Sequence, residues 1–199
     1  MRPNKRISEW KYILLDTSFI VDFLSNPDCY DSNPVKKENI EIAQQIMNVL
    51  NLRNEKERPV FYISSITIGE LRRLTTKTIF KELISTFSCG DVAILPYGKL
   101  EARIVADLSN NYMAQKQPRA VKNMLKDCDK YGAINLRTWI SDDMKIISCA
   151  KYQYDNNKLD VILTSDKRTF LPVADFLKIP CMTLDKECFP KDLFGKIDI

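Results

Sequence analysis

Five short, uniformly apolar runs limit what this chain can fold into. They are Tyr12-Ile13-Leu14-Leu15, Val60-Phe61-Tyr62-Ile63, Val92-Ala93-Ile94-Leu95, Val161-Ile162-Leu163 and a fifth within Pro180-Cys181-Met182-Thr183-Leu184. None alternates apolar with polar, as a strand with one wet face would; each reads as a strand buried on both faces. Helical periodicity fills the intervals. Phe19, Ile20, Phe23 and Leu24 have helical spacing, as do Ile40, Ile42, Ala43, Ile46, Met47, Val49 and Leu50 within 36–53. Further helical patterns run from about Ile66 to Phe87, from Leu100 to about Gln117, from Pro118 to about Lys130 and, capped by Ser141, through about Tyr154. Strand and helix in alternation predict an α/β protein, with a parallel sheet covered by helices on both faces. Right-handed crossovers reduce the arrangements to a few doubly wound ones.

A chain of 199 residues suits a single domain able to bury a core without disulfides. No apolar run reaches the length of a membrane span, and Met1-Arg2-Pro3-Asn4-Lys5-Arg6 lacks the apolar segment of a secretory signal. The six cysteines (Cys29, Cys89, Cys128, Cys149, Cys181, Cys188) form no C-x-x-C pair, and Cys149 falls in an apolar helix pattern. Their scatter points to a reducing, cytoplasmic setting. The sequence contains no histidine. That excludes a histidine general base, a Ser-His-Asp triad and histidine-ligated zinc. Acid–base chemistry falls to carboxylates, lysine, tyrosine or metal-bound water. A net charge of +4 permits a nucleic-acid partner without requiring one.

Acidic residues stand where such a sheet places its ligand edge, at the carboxyl ends of strands. Asp16 ends the first run, Glu70 lies in the first turns of the helix after the second, Asp143 opens a helix from Met144, and Asp166 closely follows the fourth run. Each has an ordinary explanation. Asp16 and Asp166 could cap helices, Thr67-x-x-Glu70 fits a capping box, and Asp142 and Asp143 suit the positive end of a helix dipole. Together they favour a shared purpose, because four converging carboxylates repel one another by about 1 kcal/mol or more per close pair. A divalent cation removes that cost. Hard oxygen donors, without histidine or paired cysteine, select Mg2+ or Mn2+ over zinc.

The segments Asp16-Thr17-Ser18, Ser65-Ile66-Thr67-Ile68-Gly69-Glu70-Leu71, Asp143 through Ala150 and Leu163-Thr164-Ser165-Asp166 together resemble a PIN domain, the family of VapC-type toxins and other metal-dependent ribonucleases. The resemblance covers about residues 11–185, within one domain of 1–199. It implies a three-layer α/β/α fold with a five-stranded parallel sheet. It also implies one or two Mg2+ or Mn2+ ions held by Asp16, Glu70, Asp143 and Asp166, and hydrolysis of RNA. Ser18 matches the family's small polar residue and would orient a carboxylate or a water; Ser165 has a similar supporting place. Asp142 competes with Asp143 for the third acidic position. Extra helical sequence, about 26–55 and 97–140, departs from the compact toxins. An antitoxin protein and a homodimer are partners the resemblance suggests, with no membrane. A PIN-like scaffold that binds RNA or protein with little turnover is the alternative.

Basic residues bear on the substrate. Lys116, Arg119, Lys122, Lys126 and Lys130 recur at helical spacing, as either a phosphate-tracking stripe or a solvated face. Arg72 and Arg73 follow Glu70 closely and could meet a phosphate or pair with the acids. A haloacid-dehalogenase-like phosphatase would need a second aspartate where Ser18 stands, and a receiver domain would need an acidic pair at the first strand's end.

Overall fold

The computed structural model describes residues 3, 5–88, 92–108, 133–185 and 188–189, with the backbone alone for 84, 86–88 and 133–140. The five apolar runs form β1 (Tyr12–Leu15), β2 (Val60–Ser64), β3 (Val92–Leu95), β4 (Val161–Thr164) and β5 (Cys181–Thr183). All pair in parallel, in the order β3-β2-β1-β4-β5. β1 is central: Ile13 lies opposite Phe61 of β2 on one side and Val161 of β4 on the other. The chain builds outward from β1 through β2 to β3, then returns to β1's other side. The switch point therefore falls between β1 and β4.

Seven helices are described: α1 (Thr17–Leu24), α2 (Pro34–Asn51), α3 (Ser65–Leu74), α4 (Lys77–Ser88), α5 (Lys99–Leu108), α6 (Ala133–Asp155) and α7 (Phe170–Phe176). Successive strand residues point to opposite faces, and the two cores follow that alternation. Ile13, Leu15, Phe61, Ile63, Val161, Leu163 and Met182 pack with Phe19 and Ile20 of α1, Ile42, Ile46 and Leu50 of α2 and Leu71 of α3. Leu14, Tyr62, Ile162 and Cys181 pack with Leu108 of α5, Met144, Ile147 and Ala150 of α6 and Phe170 and Val173 of α7. The result is a helix–sheet–helix sandwich, the three-layer α/β/α arrangement expected. Stretch 26–55 supplies part of the first layer, because α2 buries Ile40, Ile42, Ala43, Ile46 and Leu50 completely. Burying each isoleucine or leucine side chain is worth about 1.5–3 kcal/mol.

Three expectations about helices need correction. The pattern from Ile66 to Phe87 is two helices, because α3 ends where the Thr75 amide and hydroxyl both donate to the Leu71 carbonyl (3.0 and 2.7 Å). The cap of α3 is Ser64, whose hydroxyl accepts from the Thr67 amide at 3.0 Å, so Thr67 does not begin a capping box. Ser141 is interior to α6, which starts eight residues earlier at Ala133. Asp142 and Asp143 consequently sit away from the helix terminus, and the dipole explanation for them lapses. The stripe of Lys116, Arg119, Lys122, Lys126 and Lys130 lies outside the described residues. Among the described residues no helix is long and apolar enough to cross a membrane. Cys149 and Cys181 are buried free thiols, and burial pushes Cys149 up to about 12.

Candidate functional site

Asp16 is the residue at which β1 becomes α1. Its amide still donates to the Leu163 carbonyl of β4 (3.1 Å), so the backbone stays tied to the sheet while its side chain caps the helix. Oδ2 accepts from the Ser18 amide (3.3 Å), the Ser18 hydroxyl (2.6 Å) and the Thr164 hydroxyl (2.8 Å). The residue is only 3% exposed. Burial raises its pKa against those hydrogen bonds, and the charge of Asp166 adds to the rise.

Asp166 arrives from the neighbouring strand. Its amide donates to the Thr164 hydroxyl (3.0 Å), the same group that donates to Asp16. Its Oδ1 accepts from the Arg168 and Thr169 amides (2.7 and 3.0 Å), a local turn that fixes the carboxylate. Ser18 and Ser165 knit the two loops together: the Ser165 amide donates to Ser18 Oγ (2.8 Å), and Ser165 Oγ donates to Asp22. Asp22 is fully buried and also paired with Lys36 of α2.

Glu70 reaches the same edge from α3. The Thr17 hydroxyl donates to its Oε2, tying α3 to the first turn of α1. Its pKa is raised by burial, then by the charges of Asp16 and Asp142, with the Thr17 bond and Arg73 acting against the rise. Asp143, from α6, closes the group. Burial pushes its carboxyl well above the ordinary range; the negative charges of Asp16, Asp166 and Glu70 follow as causes, and a hydrogen bond with Thr169 opposes them. Four carboxylates from four separate elements thus share one electrostatic neighbourhood at the carboxyl edge of β1 and β4.

Asp142 differs from its neighbour. It is buried and accepts from Arg73 Nη2 (3.1 Å) and Lys145 Nζ (2.9 Å). Arg73 also stands 4.0 Å from Glu70 Oε1. Arg72 instead lies over the Phe80 ring, 5.7 Å from its centroid. Sequence reasoning missed Thr17, Thr164, Asp22, Lys36, Lys145 and Thr169. A lone acid inside Phe19-Ile20-Val21-Asp22-Phe23-Leu24 was a usable signal for Asp22, since an unpaired carboxylate is seldom buried. The hydroxyl partners offered no comparable signal.

The donor set is all carboxylate and hydroxyl oxygen, which suits a hard divalent cation. As the side chains stand, no group of three or more Asp, Glu or Cys among the described residues is arranged to hold a single ion. Asp16, Glu70 and Asp166 are each turned to hydroxyl or amide donors, an arrangement that favours charged carboxylates when no cation lies between them. Neither a protein-family model nor a curated protein matches the sequence. The fold and site define a doubly wound α/β protein with a carboxylate cluster, Asp16 buried and the others half-buried, at its topological switch point.

Proposed function

We propose that this protein is a PIN-type, metal-dependent ribonuclease that hydrolyses RNA phosphodiester bonds with one or two Mg2+ or Mn2+ ions. The observation that carries this reading is the setting of Asp143. A mid-helix carboxyl with no capping role lies half-buried within the fields of Asp16, Asp166 and Glu70. Such a cluster destabilises the protein unless something positive joins it.

Asp16, Glu70, Asp143 and Asp166 would hold the ions. The chemistry such an ion supplies when bound is activation of water and neutralisation of charge on the phosphate. The chain supplies the orientation. Ser18 and Thr164 fix the Asp16 carboxylate by two hydroxyl bonds, Thr17 fixes Glu70, and the Arg168 and Thr169 amides fix Asp166. Asp142, neutralised by Arg73 and Lys145, is the poorer ligand of the adjacent pair.

Incubation of single-stranded RNA with the protein and Mn2+ should give cleavage that excess chelator abolishes. Asp16→Asn should lower the rate by about 100-fold or more, since loss of even a supporting contact at a metal site costs 10–100-fold. Equal cleavage with and without chelator would defeat the metal mechanism. Absence of both cleavage and Mn2+ binding would favour the scaffold reading. The toxin role, with its antitoxin partner, is a further part of the proposal. Its check is growth arrest on expression, relieved by Asp16→Asn and by a short open reading frame adjoining the gene.

A further inference from the structure

Asp142, Arg73 and Lys145 form a charge group that the carboxylate cluster does not absorb. The Asp142 side chain is 8% exposed, against 60% for Arg73 and 30% for Lys145. One cation suffices to neutralise a buried carboxylate. Here two converge on it from different helices, and Arg73, which also stands 4.0 Å from Glu70 Oε1, is largely open to solvent. Arg73 is placed by α3 three residues after Glu70, and Lys145 by α6 two residues after Asp143, so both stem from elements that also supply the cluster.

The order of the charges can be traced. Asp143 feels Asp16, Asp166 and Glu70; Glu70 in turn feels Asp16 and Asp142. Asp142 with its two cations borders the cluster at Glu70, where Arg73 Nη2 stands 4.0 Å from Oε1. We infer that Arg73 and Lys145, braced by the buried Asp142, receive a backbone phosphate of the RNA beside the carboxylate cluster. The inference rests on the ribonuclease reading, because it is RNA that would have to approach four carboxylates against their repulsion.

The chemistry of the pair suits a phosphate. A guanidinium presents five N–H donors in a planar fork that can take two phosphate oxygens at once, and an ammonium adds a compact charge. Arg73 Nη2 is engaged by Asp142 at 3.1 Å and lies within 4.0 Å of Glu70, yet most of the side chain faces water. Asp142 holds one prong of the fork, so little side-chain freedom is left to lose when a phosphate arrives. Arg72 has no part in it, being stacked on Phe80.

The test is binding of a short single-stranded RNA in chelator, followed by anisotropy over a range of salt. Each phosphate contact on a single strand contributes about 0.7 to the slope of log affinity against log salt. Arg73→Gln and Lys145→Gln together should reduce the slope by about that amount, since the two share one phosphate, and each alone should reduce it by less. Lys81→Gln, an exposed lysine of α4, should leave it unchanged. Both variants should keep a single cooperative urea transition, which a general loss of structure would not allow. An unchanged slope in the double variant, an equal loss in Lys81→Gln or no binding by the parent protein would overturn the inference. If the parent cleaves RNA but the slope is unmoved, only the phosphate site falls. If the slope moves while neither Mn2+ binding nor cleavage is seen, the nuclease reading falls and an RNA-binding site stands.

Discussion

Two adjacent aspartates in α6 show how neighbouring residues of one type acquire opposite characters. Asp142 faces Arg73 and Lys145; Asp143, one residue on and half-buried, faces three other acids. The family resemblance favours Asp143 through the apolar spacing of Ile146 and Ala150, and what separates the two in the fold is the partner each meets. The contrast makes Asp143→Asn informative. The amide keeps nearly the same shape and can still bond to Thr169 while removing one charge from the cluster. In metal-free protein, relief of like-charge repulsion should raise stability by on the order of 1 kcal/mol, read as a higher urea midpoint. The same variant should lose Mn2+ binding measured by calorimetry. Asp142→Asn should do the opposite in urea, because it leaves two cations without their shared partner. A destabilised Asp143→Asn protein with intact Mn2+ binding would remove Asp143 from the proposed site.

Among the elements, α3 has the most direct line from local sequence to site. It begins without a loop at the end of β2, and Ser64, wholly buried, caps it through the Thr67 amide. Glu70 follows within two turns, so the cap fixes the helix that aims this carboxylate. Ser64→Ala should cost about 1 kcal/mol of stability, within the usual 0.5–2 for a lost N-cap. It should also weaken Mn2+ binding, although the residue touches no carboxylate of the cluster. Retained stability would mean that the α3 terminus is held by packing alone. The strands were legible almost to the residue, because a strand covered on both faces must be apolar at every position and short; β3, at the sheet edge, departs from that expectation of burial, with Ile94 53% exposed. Helix limits were less so. The apolar period runs unbroken through Thr75, and only the capping of Leu71 by that threonine ends α3. The Ser141-Asp142-Asp143 triplet imitates an N-cap while lying inside α6. The acids were legible because each stands near a strand end or in the elements beside it. The hydroxyls that orient them were not: Thr17 and Glu70 are 53 residues apart, and Thr164 and Asp16 are 148 apart.

Summed over the molecule, the buried acids impose a pH dependence whose sign can be worked out. Asp16, Glu70 and Asp143 have folded pKa values raised above their ordinary values of 3.8, 4.5 and 3.8, burial being the largest cause in each. As pH falls from neutral, these groups take up protons in the folded state before the unfolded chain does. The folded state then binds more protons, and stability rises with acid. Asp160 and Asp185 behave oppositely. Burial disfavours their anions, but the Lys5 bond and the Lys11 and Tyr12 amides outweigh it for Asp160, as the Thr183 and Lys167 bonds and the Cys188 amide do for Asp185. Both carboxyls end below 3.8, so the stability they contribute is lost only as pH falls through those lowered values. The chain has no histidine to titrate between. Metal-free protein should therefore melt at a higher temperature at about pH 5 than at pH 7, and lose that gain below about pH 4. With saturating Mn2+ the difference should shrink or reverse, because protons and metal compete for the same carboxylates. Melting curves in chelator and in Mn2+ over that range make the comparison. A metal-free protein that melts lower at pH 5 than at pH 7 would show that Asp16, Glu70 and Asp143 are not held above their ordinary values, and the case for carboxylates awaiting a common cation would go with it.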